Sequence, residues 1–216
     1  MTLRLRRGFI TRFVLLALAV AGLSAQDAQQ NAADARRLIT ALELHGGSVV
    51  GEIGAGDGGL TVAIAKAVGE SGRVYSNEIN TQKLAGIARA ATSAGLTNVT
   101  TIAGDETRTN FDERCCDAIF MRDVYHHFTD PGAMNASILA SLKPGGRLAV
   151  VDFGPPPGGE SATPAGRSTD GHHGITLPTL ERELKAAGFE IMSSTEYGFR
   201  GMLVVARRPG GTPPCQ

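Results

Sequence analysis

The chain has 216 residues, with 21 Lys and Arg against 21 Asp and Glu, so no basic excess is present to hold a nucleic acid through its phosphates. Hydrophobic residues make up 42% of the chain and charged residues 19%, which is enough apolar surface for a core and excludes wholesale disorder. The 28 Gly follow no triplet period, which excludes collagen and points to many tight turns, and 3 Cys are too few for a disulfide scaffold or a four-cysteine zinc site.

In chain order, the first feature is a leader-like segment. Arg4, Arg6, Arg7 and Arg12 precede any acid, the uncharged run from Phe13 to Leu23 follows, and Ser24 and Ala25 close it. A basic start, a short apolar run and small residues at the end form the pattern of a secretory signal peptide. The run is short for a bilayer span. Residues 1–25 are therefore expected to be a signal peptide, with a cut after Ala25 or, behind Ala19 and Val20, after Ala21. The protein is expected to be exported, periplasmic or secreted, and to meet a membrane only through this segment if it stays uncleaved. The segment carries four of the 21 basic residues and no acid, so its removal leaves the chain net acidic by four.

Residues 28–44 then read as a helix with Leu38, Ile39 and Leu42 on one side. A Val/Ile-rich strand is expected over 48–54 and a helix over 58–69, apolar almost all round and hence buried against a sheet. A second strand covers 73–79. The helix over 80–94 places Leu84, Ile87, Ala88 and Ala91 at i, i+3, i+4 and i+7, and Gly95 closes it. Strands follow over 99–105 and 116–121. Asp130 and Pro131 have the types expected at the N-cap and first position of a helix with Met134, Ile138, Leu139 and Leu142 on one face. A turn over 143–146 leads into a strand over 147–153. The Gly/Pro-rich stretch 154–176 reads as a long loop of the kind used as a lid or binding element. A helix over 177–188, with Leu180, Leu184 and Ala187 aligned, precedes strands at about 189–196 and 200–206. This alternation predicts an α/β, Rossmann-like fold. Its seven-stranded, mostly parallel sheet has helices on both faces and an antiparallel C-terminal hairpin strand. The domain is expected over 26–207 and a flexible tail over 208–216.

Chemistry concentrates in the segment Gly51 to Gly59, between the first strand and its helix. Gly54, Gly56 and Gly58 give G-x-G-x-G, and Gly54, Gly56 and Gly59 give the dinucleotide fingerprint G-x-G-x-x-G, so spacing alone leaves both ligands open. Glu52 lies two residues before the first Gly. A carboxylate there repels a pyrophosphate and suits an ammonium or sulfonium ligand.

With Glu52, Gly54, Gly56 and Gly58 in the pattern acidic-x-Gly-x-Gly-x-Gly, the sequence resembles the class I S-adenosylmethionine-dependent methyltransferases from about residue 34 to 206. Asp is commoner than Glu at the first place in that family. The resemblance implies that Glu52 faces the methionine amino end and that Glu78, ending the second strand, holds the ribose. Asp105 would hold the adenine amino group, with Glu106 able to exchange roles with it. Arg122 and Asp123 would run under the methionine part. The segment from Leu142 to Phe153 also matches the family, in a structural capacity. The expected cofactor is S-adenosyl-L-methionine, the acceptor a small molecule and the activity methyl transfer, with no metal and no nucleic acid involved.

His126 is the candidate general base, since an imidazole titrates near neutral pH, and His127 adjoins it. His172 and His173 lie late in the long loop, without a recognised zinc spacing. Cys115 and Cys116 read as buried thiols, with a bond to Cys215 as the alternative. The dispersed Cys set of the arsenic methyltransferases, which share the fold, is absent. Two competing functions stand beside methyl transfer. A nicotinamide-dependent oxidoreductase shares the Gly loop and Glu78 but explains neither Glu52 nor Asp105, and shows no Tyr-x-x-x-Lys pair. A non-catalytic exported binding protein on the same fold is the other.

Overall fold

The computed structural model describes residues 27–167 and 173–210. The expected signal peptide, His172 and Cys215 lie outside the described residues. In chain order the elements begin with helix α1, described over 27–41, then β1 (Val49–Ile53), α2 (Gly59–Val68), β2 (Arg73–Glu78), α3 (Thr81–Ser93) and β3 (Val99–Ala103). They continue with β4 (Cys116–Arg122), α4 (Pro131–Ser141), β5 (Leu142–Phe153), α5 (Leu177–Ala186), β6 (Glu190–Tyr197) and β7 (Gly201–Arg207). Single 3-10 turns sit at Tyr125–His127 and Pro164–Gly166.

The strands form one seven-stranded sheet in the order β3-β2-β1-β4-β5-β7-β6. The pairs from β3 through β5 are parallel, and β7 runs antiparallel between β5 and β6. This is the expected architecture, and period-2 side-chain alternation builds a core on each face of it. On β4, Ala118 and Phe120 join Leu38, Leu60 and Ile64 of α1 and α2. Ile119 and Met121 join Met134, Ile138, Leu180 and Leu184 of α4 and α5 on the other face. β5 divides in the same way, with Ala149 and Val151 on the first side and Leu148 and Val150 on the second.

Local chemistry sets the helix starts. Asn80 caps α3 by accepting from the backbone N–H of Gln82 at 2.9 Å and of Lys83 at 3.2 Å. Asp130 caps α4 by accepting from Ala133 N–H at 2.9 Å, with Pro131 at the first helical position. Three features differ from the sequence reading. α1 stops at 41, because Glu43 takes a left-handed φ of 54° that no helix continues through. Ala88 is exposed, since Ile87 and Ala91 alone bring α3 onto its neighbours. The turn at 143–146 is enclosed within β5: Leu142 pairs with Cys116, the chain loops out through Gly145 at φ 80°, and pairing resumes at Arg147 with Ala118. Arg208, the first residue of the expected tail, holds that loop. Its N–H donates to Gly146 O at 2.8 Å, and its guanidinium donates to the carbonyl of Leu142 at 2.6 Å.

Ile138 is fully buried where α4 meets β4 and α5. Ile138→Ala is expected to lower the unfolding free energy by about 2–5 kcal/mol, from lost transfer energy plus a cavity. Urea denaturation checks this as a lower midpoint at unchanged slope.

Candidate functional site

The strand order reverses between β1 and β4, so the connections leaving their carboxyl ends diverge and open a crevice there. A cleft of about 1180 Å³ occupies that place. Its walls come from the ends of β1, β2 and β4, the Gly loop, the first turns of α1, and Arg167 of the long loop.

The Gly loop is built by backbone conformation. Gly54 turns the chain out of β1 at φ 68°, and a Cβ on it would meet Val124 Cγ2 at 2.4 Å. Gly56, at φ 56°, has nothing within 4 Å of the position a Cβ would take. Its backbone is therefore bare toward the cleft. Gly58 differs. It is absent from the cleft lining and sits at φ 78° against α3, where a Cβ would lie 3.3 Å from the Ile87 backbone. Ala55 N–H donates to Asn77 O at 2.9 Å, which lays the loop across the end of β2.

Glu78 completes that attachment. Its Oε2 accepts from Gly56 N–H at 2.8 Å and its Oε1 from Asn80 N–H at 2.9 Å. Each carboxylate oxygen keeps a second lone pair for a ligand hydroxyl. Asp105 and Glu106 stand beyond the end of β3 on the cleft wall. Asp105 Oδ1 accepts from Thr107 N–H at 2.9 Å and Oγ1 at 2.8 Å, an Asx-type turn. The Thr107 backbone bond, more than any other cause, holds its carboxyl below the usual carboxylate range.

Glu52 is 3% exposed. Its Oε2 accepts a short bond from Thr61 Oγ1 on α2 and a longer one, 3.5 Å, from Ser76 Oγ on β2. Burial raises its pKa from 4.5 to about 7, against the opposing pull of Thr61 and Arg122.

Arg122 and Asp123 end β4. Arg122 Nη1 donates to Asn31 Oδ1 at 2.7 Å and Asp34 Oδ2 at 3.1 Å, which fastens α1 over the cleft. Asp34 is buried and also pairs with Arg37 at 2.7 Å, whose guanidinium lies 4.2 Å over the Tyr197 ring. Asp123 takes a left-handed φ of 55°, which Asp tolerates better than most residues. Asn31 and Asp34 carry no role in the sequence reading. Their signal is a polar residue inside a core stripe, since Asn31, Ala35, Leu38 and Leu42 fall at i, i+4, i+7 and i+11.

The two adjacent histidines separate. His126 is 1% exposed and absent from the cleft lining, while His127 lines it. Asp152, at the end of β5 and not singled out by sequence, accepts from His126 Nδ1 at 2.7 Å and its backbone N–H at 3.2 Å. Among the described residues, none is a hydrogen-bond partner of the buried His126 Nε2. His173 comes from the long loop to donate from Nε2 to His126 O at 2.5 Å. Arg167 of the same loop is anchored by Glu183, at 2.6 Å and 3.2 Å, and by Phe128 O at 3.0 Å. The cleft thus gathers Glu52, Gly54, Gly56, Glu78, Asp105, Glu106, Arg122 and Asp123, and leaves Gly58 and His126 in the packing behind it.

A family model described as a methyltransferase domain matches residues 50–146. The ubiquinone/menaquinone biosynthesis C-methyltransferase UbiE of Marinomonas sp. (strain MWYL1) is 31% identical over 122 residues, 56% of this chain and 49% of that one. The chain thus spans about half the length of the relatives it matches. Among solved structures, a SAM dependent methyltransferase from Aquifex aeolicus superposes with a TM-score of 0.68 at 22% identity, covering 81% of this chain and 89% of that one. The [4+2]-cyclase SpnF gives 0.71 at 19% identity, covering 83% and 82%. At these identities the solved structures speak for the fold.

Two outcomes follow from this geometry. Gly54→Ala and Gly56→Ala each place a side chain at positive φ, but only the first also strikes Val124. The melting temperature is expected to fall in both variants and further in Gly54→Ala. For Glu52, the folded pKa of about 7 lies above the ordinary 4.5. Between those values the folded chain holds more protons than the unfolded chain, so stability declines as pH rises through this window. Glu52→Gln is expected to remove its share of that decline, read from denaturation midpoints across the window.

Proposed function

We propose that the chain is a class I S-adenosylmethionine-dependent methyltransferase, as the methyltransferase-domain match over residues 50–146 supports, and that it transfers the cofactor's methyl group to a small, uncharged acceptor. The observation that carries this reading is the convergence of Glu52, the bare backbone at Gly56, Glu78 and Asp105 on one cleft at the β1/β4 reversal. These residues fit the cofactor. Glu78 has lone pairs for two ribose hydroxyls, Asp105 has an acceptor for an adenine amino group, and Glu52 has a carboxyl suited to the methionine ammonium. When bound, the cofactor supplies a sulfonium whose methyl is already electrophilic. The chain's own task is positioning. The Gly loop and Glu78 fix one end of the cleft, and Arg122 holds α1 as a cover that excludes water.

The rest of the cleft supports an acceptor of low charge. Val124, Phe128 and Met134 give it apolar walls, and the charge of Arg167 is already met by Glu183. A base is needed only where the acceptor is protonated at the working pH. His127 is the imidazole facing that end. His126, held by Asp152 behind the wall, positions the turn that carries it.

Export belongs to the same reading. Residues 1–25 act as a signal peptide and the methyltransferase domain begins at Gln26, with Arg208 bonded into it rather than part of a tail. The basic, apolar and small-residue order of the leader supports this. A periplasmic form beginning at Gln26 or Gly22 by mass agrees with it, and an intact chain held in the membrane fraction overturns it.

Calorimetric titration of residues 26–216 tests the cofactor site. S-adenosylhomocysteine is expected to bind and NADH not to bind. NADH binding alone would move the chain to nicotinamide chemistry, and binding of neither by a folded protein would leave a non-catalytic binding module. Glu78→Ala is expected to weaken S-adenosylhomocysteine by about 1–3 kcal/mol, through lost ligand bonds and through the freed N–H of Gly56. Once an acceptor is in hand, His127→Ala is expected to lower kcat with cofactor affinity retained.

A further inference from the structure

A second group of reactive side chains lies at the other end of the sheet from the cleft, where β4 begins. There Cys115 and Cys116 bring their sulfurs to 2.6 Å. Consecutive residues within a strand point to opposite faces. This pair escapes that rule because Cys115 is the last residue before β4, and Arg114 has just turned the chain at φ 51°. Both thiols therefore meet on one side. Cys116 is buried in the core beside α4, while Cys115 packs against the same core half-buried. Among the described residues neither sulfur is in a disulfide. Their contact favours one charge state for each: the Cys116 S–H bond draws the Cys115 thiol below its usual range, and the same bond with burial pushes Cys116 up. Solvent access and thiolate character thus fall on Cys115, with the second sulfur already beside it.

We propose that Cys115 and Cys116 form a vicinal dithiol that closes to an intramolecular disulfide by exchange with a small-molecule disulfide of the glutathione type. The Cys115 thiolate attacks one sulfur of the oxidised partner. A mixed disulfide forms and one glutathione leaves as thiolate. Cys116 gives up its proton and attacks Cys115 Sγ, which breaks the mixed disulfide and releases the second glutathione. The two protein thiols are oxidised, the small disulfide is reduced to two thiols, and the two protons pass to those products. Adjacent cysteines close a small, strained ring, and strained disulfides are the readily reduced ones. The bond is therefore reversible and serves as a modification site separate from the cleft, at the far end of β4.

The test uses the full chain treated with oxidised glutathione, quenched in acid and mapped by peptide mass. The expected result is a peptide spanning residues 115 and 116 lighter by two hydrogens, restored by dithiothreitol. Cys116→Ser is expected to trap glutathione on Cys115, and Cys115→Ser to leave Cys116 unmodified. Unchanged S-adenosylhomocysteine affinity shows that either variant is folded and keeps this test independent of the cleft. A persistent glutathione adduct on the unsubstituted chain, a bond from either residue to Cys215, or no change in mass would each overturn the proposal. The measurement on the unsubstituted chain stands even if Cys116→Ser fails to fold.

Discussion

The fold and its cleft depend on one constraint, the hydrogen bonding of β1 to a parallel strand on each side. With β2 on one flank and β4 on the other, the chain must leave β1 toward α2 on one face and leave β4 toward α4 on the other. No connection can cover the gap between these exits. The cleft is what remains, and every residue at the carboxyl ends of β1, β2 and β4 borders it or packs just behind it. Glu52, Glu78 and Arg122 are polar because they stand where the sheet stops covering itself, and each has a protein partner.

Much of this was legible because it is local. The 2.0 and 3.6 periodicities located each described strand and helix within a few residues, and Asn80 and Asp130 marked helix starts by side-chain chemistry that needs no tertiary contact. What was not legible depends on tertiary placement. Adjacent histidines look equivalent in sequence, yet the short turn over Tyr125–His127 buries His126 against Asp152 and leaves His127 at the cleft. Gly58 belongs to the same motif as Gly54 and Gly56, but its neighbour is Ile87, a residue 29 positions on. Arg167 lies in a loop without periodicity, and its bonds to Glu183 and to the Phe128 carbonyl give it a fixed place. The β5 irregularity was also hidden, because Arg208 supplies the bonds that hold its loop.

The fold also accommodates more than one chemistry. The cyclase and the methyltransferase that superpose on this chain do so with similar scores, so the sheet alone does not choose the reaction. The discrimination rests on side chains at the strand ends. Burial makes the Glu52 carboxyl costly, and the hydroxyls of Thr61 and Ser76 offset part of that cost.

The contact between Gly58 and Ile87 has a consequence for affinity. Glu78 bonds both the Gly loop and the start of α3, and Gly58 presses the loop against the middle of the same helix. Loop, strand end and helix therefore form a single preorganised body, which a ligand need not assemble on arrival. Binding loses little protein entropy, and the free energy of association is left to desolvation and to the match of charges at the wall.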